Sequence, residues 1–169
     1  YPADNQNGVS ISDNISVTFS EAMDSTYVTT STSDTNCAGT IRVSSDNFSS
    51  CVKMSSEPVS SNSNKTFTLD PYDNLTVSTT YKTRVTTGVK DTAGNALSSQ
   101  YETSSGFTPP DLTAPTVTSV STTADNQSSI AITDNITVTF SEAMDNTSIT
   151  TNTDNSSCYE TLRLSSDNF

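Results

Sequence analysis

Glu21, Asp24 and Asp46 are the carboxylates that could be nominated for paired acid and base work, the chemistry that cleaves glycosidic bonds. Nothing in their spacing separates them from turn and surface residues. A Ser, Thr or Cys nucleophile would need a base beside it, and the 169 residues contain no His. Lys or a carboxylate would have to serve instead, and no motif sets either next to a nucleophile. The residue types therefore argue against an enzyme.

Cys37, Cys51 and Cys158 offer a different chemistry. Zinc is disfavoured because neither His nor a Cys-x-x-Cys pair accompanies them. Cys37 and Cys158 stand at the same position of an internal repeat, so Cys51 is the natural partner of Cys37. The partner of Cys158 is then expected just past Phe169. One disulfide per repeat would place the chain outside the cytoplasm, and free buried thiols are the alternative.

Hard cations are a third possibility. Asp and Asn recur together at Asp4/Asn5, Asp13/Asn14, Asp46/Asn47 and Asp91/Asn95, with Asp111 alone. Calcium takes such oxygen donors, and Asp111, Asp125 and Asp134 are the candidates for a site at a domain junction. The competing account is that Asx residues make turns, and no DxDxDG loop is present. Asn-x-Ser/Thr matches at Asn14, Asn64, Asn74 and Asn135 are expected by chance in a chain this rich in Asn, Ser and Thr. Lys53, Lys65, Lys82 and Lys90 all fall where a solvent face is expected, which speaks against lysine–asparagine crosslinks.

The elements that would position these groups are set by a stretch that occurs twice. NISVTFSEAMD at 14–24 returns as NITVTFSEAMD at 135–145. In each copy the apolar residues alternate, Ile15, Val17 and Phe19 facing one way, as a half-buried strand requires. Glu-Ala-Met-Asp then breaks the alternation and predicts a short capped helical turn, with Met23 or Met144 as its apolar plug. An offset of 121 residues aligns 3–48 with 124–169 without a gap, and 28 of the 46 positions are identical. Apolar positions exchange only for apolar ones, such as Val9 for Ile130 and Val43 for Leu164. A repeat of this length is a domain rather than a solenoid turn.

Further strands are read along the first copy. Tyr27 and Val28 are inward candidates, and 38–54 predicts a hairpin with Ile41 and Val43 on one arm and Val52 and Met54 on the return. Residues 55–65 read as a solvated connection. Phe67 and Leu69 alternate inward before Pro71, and Tyr81, Thr83 and Val85 alternate against Lys82 and Arg84. Asp91 and Gly94 mark a tight turn, and 101–108 is the closing strand with Phe107 in the core. Short strands between turn signals, with almost no helical periodicity, describe an all-β antiparallel sandwich.

Seven Lys plus Arg against 19 Asp plus Glu give a net charge of −12. Phosphate recognition needs clustered cations, so the charge argues against nucleic acid and anionic membranes as partners. There is also no run of 18 apolar residues to insert into a bilayer.

FSEAMD, LDPYDNLTVSTTYKTRV, GVKDTAGNAL and the closing GFT resemble, in that order, the bacterial Ig-like domains of S-layer and large surface repeat proteins. The resemblance implies tandem immunoglobulin-like β-sandwich domains, the second one incomplete, in an extracellular or cell-surface protein, and it brings no catalytic residues. The expected domains are 1–109 and 116–169, joined by a proline linker at 110–115. The strand at 115–121 has no counterpart ahead of Tyr1. A longer array extending both ways is therefore expected, or a strand supplied by another chain. The implied role is a structural module of a stalk, S-layer or filament, whose partners are copies of itself or neighbouring Ig-like domains. An adhesin repeat binding glycans and a spacer in a secreted enzyme are the alternatives.

Overall fold

The structure, a computed structural model, describes residues 1–121, 128–153 and 158–166. It divides into unit 1, Tyr1–Leu112, and unit 2, Thr113–Phe169.

Unit 1 is built from β1 (Gln6–Asn7), β2 (Ile15–Thr18), β3 (Ile41–Ser44), β4 (Val59–Ser61), β5 (Thr66–Leu69), β6 (Lys82–Val85), β7 (Tyr101–Glu102) and β8 (Phe107–Thr108). Two three-stranded antiparallel sheets, ordered β2-β5-β4 and β3-β6-β7, carry it, and β1 pairs with β8 in parallel. Each sheet has period-two patterning, so each presents an apolar face. Ile15, Phe67 and Leu69 of the first sheet and Ile41, Val43 and Val85 of the second meet in one buried cluster. Val9, Met23, Val28, Met54, Leu75, Val89 and Phe107 fill it from the flanking segments. This is a β-sandwich with almost no helix, and the alternation read at β2, β5 and β6 is what each sheet turns inward.

Local expectations fare unevenly. Met23 is the buried plug, but the helical turn begins after it, as a 3-10 turn at Ser25–Tyr27. Asp24 caps that turn because its carboxylate accepts from the Thr26 amide at 2.9 Å. Val28 is buried as expected, whereas Tyr27 lies outside, its ring under Lys90 Nζ at 4.3 Å. The hairpin over 38–54 does not form as a ladder. β3 pairs with β6 instead, and the return segment keeps one bond to it, Val52 N to Val43 O at 2.8 Å. The residues read as a solvated connection contain an edge strand, β4, whose turn holds Asn62, Ser63 and Asn64 at positive φ. Asn tolerates that region, and β4 is fully exposed, so it carries no apolar signature to read. The closing strand is two strands, β7 on β6 and β8 on β1, separated by a bend at Ser104–Gly106.

Unit 2 contains β9 (Val117–Val120) and β10 (Val138–Phe140), paired antiparallel with a register shift between Thr139 and Phe140. A 3-10 turn at Asn146–Ser148 follows, capped by Asp145 as Asp24 caps its equivalent.

Candidate functional site

The doubled motif is tied into its unit by a second motif. Met23 bridges Asp91, Asp24 N donates to Lys90 O at 2.9 Å, and Thr92 N donates to Ala22 O at 3.2 Å. Asp91 in turn accepts from the amides of Ala93 and Asn95 and from Asn95 Nδ2, each at 2.8 Å. Those bonds, the Asn95 side chain first, hold the Asp91 carboxyl below its usual range. Gly94, at φ +90, supplies the left-handed residue of this turn. FSEAMD and KDTAGNAL are thus two sides of one lock.

The nominated carboxylates are not brought together for catalysis. Glu21 is exposed, Asp24 is occupied by its 3-10 turn, and Asp46 organises the turn after β3. There it accepts from Ser50 Oγ at 2.6 Å, Ser50 N at 2.9 Å and Ser44 Oγ at 2.8 Å. These donors, led by the Ser50 side chain, lower its pKa from 3.8 to about 2. Ser44 Oγ also receives the Phe48 amide at 2.9 Å, and Arg84 covers the Phe48 ring at 3.6 Å. Arg84 is no free solvent-face cation, since it also pairs with Glu102 at 2.8 Å.

Asp4 makes the longest-range connection. Its carboxylate accepts from Ser104 Oγ at 2.6 Å and from the amides of Ser105 and Gly106 at 2.9 and 2.6 Å. Its pKa falls from 3.8 to about 2, the Ser104 hydroxyl being the main cause and the Gly106 amide the next. Gly106 is obligatory, because it sits at φ +79 and a Cβ would come within 2.2 Å of Tyr81 O. Sequence reading singled out Asp4 only as one oxygen donor among several. Its partners lie about a hundred residues away, and no local pattern announces them.

Cys37 and Cys51 are joined by a disulfide, and Cys51 N donates to Thr35 O at 2.8 Å. The enclosed loop is organised further by Ser31, whose hydroxyl bonds Asn36 O and Ala38 O, and by Asp34, which accepts from the Asn36 amide. Cys158 is an exposed free cysteine.

Of the calcium candidates, Asp111 lies in unit 1 and Asp134 in unit 2, both exposed, and Asp125 falls outside the described residues. Among the described residues no three His, Cys, Asp or Glu side chains are arranged to hold a metal.

One further feature is concave. A groove of about 380 Å³ runs along the outer edge of β2, lined by Val17 and Phe19 on one side and Val85, Leu97 and Tyr101 on the other.

The family model described as "Bacterial Ig-like domain" matches residues 1–108 and again 111–165. The chain belongs to the bacterial Ig-like domain family. Both matches start ahead of a copy of FSEAMD, so this family's module is what the internal repeat duplicates. Among solved structures, domains 1–6 of surface layer protein SbsC are similar at 22% identity, covering 76% of this chain and 16% of that one with a TM-score of 0.42. The crystal structure of the S-layer protein rSbsC is similar at 22% identity, with 80% and 17% covered and a TM-score of 0.43. The N-terminal part of S-layer protein SbsC gives 21% identity, 80% and 30% covered and a TM-score of 0.43. This chain spans less than a third of the length of each. The search of curated proteins returned no match.

Proposed function

We propose that the chain is a load-bearing segment of a tandem array of Ig-like domains in a secreted or cell-surface bacterial protein, such as a stalk, S-layer or filament. The observation that carries this reading is the parallel pairing of β1 with β8, the first and last strands of unit 1. Parallel first and last strands make the chain leave the unit heading away from the end at which it entered, which suits modules strung end to end. Asp4 clamps the same two segments, so tension between the ends of the unit acts on a hydrogen-bonded seam. The family assignment, the 121-residue repeat and the disulfide support an array in an oxidising, extracellular setting. In this reading 1–109 is one module, 110–115 a stiff proline linker and 116–169 the beginning of the next. Its partners are neighbouring Ig-like domains and copies of itself, and the acidic surface keeps the array soluble. Electron microscopy of the native protein is expected to show a rod or lattice, and a compact globular particle would overturn the proposal.

A further inference from the structure

Asn7 and Gly8 form the one Asn-Gly pair in the sequence, and both are exposed. Such a pair can react with itself. The backbone nitrogen of Gly8 can attack Asn7 Cγ, since glycine puts no side chain in the way of the five-membered ring that results. The N–Cγ bond forms as the Cγ–Nδ2 bond breaks, and the Gly8 amide proton leaves with the side-chain nitrogen as ammonia. Water then opens the ring at one carbonyl or the other, giving aspartate or isoaspartate. Nothing else is consumed.

The fold sets this pair at the seam of unit 1. Asn7 ends β1 opposite Thr108, and Val9 N donates to Thr108 O at 3.4 Å, so Gly8 lies between two residues fixed to β8. A residue extended in a ladder points its side chain out of the pleat, which keeps Cγ from closing on the next nitrogen. Pairing therefore holds Asn7 unreactive. Yet β1 is two residues long, and its fasteners lie just ahead of it: Asn5 N to Gly106 O at 2.6 Å and the Asp4 carboxylate on Ser104, Ser105 and Gly106. So short a strand opens locally at little cost once they let go.

Asn-Gly also suits tight turns, but the second copy shows that this bend does not call for it. Ser128 and Ser129 stand at the equivalent positions, and Ser129 has φ +65 against +69 for Gly8. A Cβ on Gly8 would meet nothing within 4 Å. The bend is kept without the reactive pair.

We propose that Asn7–Gly8 is a self-modifying site that records opening of the seam: paired with β8 it is inert, and parted from β8 it cyclises and loses ammonia. Isoaspartate carries the main chain through Cγ, so the chain gains a methylene between residues 7 and 8 and a carboxylate beside it. Val9, 1% exposed in the core, can then no longer be seated while Asn7 stays opposite Thr108. The seam does not close again in register. That load is what opens it rests on the array reading; the chemistry and its control by Asp4 do not.

The test is to age the full chain in mildly alkaline buffer and follow ammonia loss and isoaspartate at residue 7 by peptide mapping. Asp4→Ala is expected to speed the reaction about tenfold and Ser104→Ala, which removes one donor to Asp4, about threefold. Aged chains carrying isoaspartate should melt roughly 5 °C lower, whereas Asn7→Ser/Gly8→Ser chains aged alongside should keep their Tm. Ser104→Ala decides the matter if Asp4→Ala does not fold. Equal rates in wild type and Ser104→Ala, or isoaspartate at residue 7 without a fall in Tm, overturn the proposal and leave the array reading to the microscopy. An equal fall in the Ser-Ser chains overturns it too, because the damage then lies elsewhere.

Discussion

Units 1 and 2 share a sequence but not a degree of burial. Asp24 and Asp145 cap their 3-10 turns in the same way, each accepting from the amide two residues on at 2.9 Å. Their apolar residues part company: Val43 is fully buried while its equivalent Leu164 is 72% exposed, and Ile15 is 1% exposed against 46% for Ile136. Caps and turns close over a few residues and need only local sequence. Burial needs a partner layer, and in unit 1 that layer is Phe67, Leu69, Val85 and Phe107, all from beyond the 46 aligned residues. The difference separates what a local turn fixes from what a second packed layer supplies.

The sharpest way to break this comparison is to cut into the shared layer. Phe67 is wholly buried and packs edge-on against Phe19 with ring centres 5.9 Å apart. Phe67→Ala is expected to cost about 3–5 kcal/mol, measured by urea unfolding of unit 1. Val43→Ala should cost about 2 kcal/mol, and Leu164→Ala at the matching position less than about 0.5 kcal/mol. Equal losses at 43 and 164 would mean that unit 2 buries its face as unit 1 does.

The disulfide comes next. Cys37 and Cys51 are 14 residues apart, and opening a loop of that size should lower stability by about 3 kcal/mol. The double variant Cys37→Ser/Cys51→Ser is expected to show this as a lower denaturation midpoint. Non-reducing mass spectrometry should find the two joined in the native protein, and free thiols there would defeat the proposed extracellular setting.

Acid should act on unit 1 through its carboxylate clips. Asp4 and Asp46 have folded-state pKa values of about 2 against an ordinary 3.8. A depressed carboxylate contributes stability that is present above about pH 4 and is lost as pH falls through about 2. Melting between pH 5 and 2 should therefore show a falling Tm, and Asp4→Asn should flatten part of that fall. An unchanged pH profile would remove Asp4 from the seam.

The smallest effect concerns cations. Asp4, Asp46 and Asp91 already accept donors from their own turns or from the bend they clamp, so chelation is expected to leave Tm unchanged. A fall on adding chelator would support Asp111, Asp125 and Asp134 as the calcium ligands expected at the junction.

How much could be read in advance depended on the range of each interaction. The alternation at β2, β5 and β6 named Ile15, Val17, Phe19, Phe67, Leu69, Tyr81 and Val85 as inward; Val17 and Phe19 are half-buried against the core and the other five are buried. Asp91 and Gly94 were legible as a turn because their partners lie within four residues. Tyr27 and the 38–54 hairpin misled for one reason: a short apolar pair tells that something is buried, not which strand it pairs with. Ile41 and Val43 found β6, some 40 residues on, rather than the nearest return segment.

What the sequence determined by itself was the domain-length repeat, the two-faced strands, the Asx turns and the acidic, disulfide-bearing character of the chain. All of these are read from composition, from spacing over a few residues, or from one stretch matching its copy. Tertiary structure alone decided that Asp4 clamps the bend at Ser104–Gly106, that the first and last strands of unit 1 run parallel, and that β3 pairs with β6. Each of those depends on groups about 40 to 100 residues apart being set in place by the packing of a whole core.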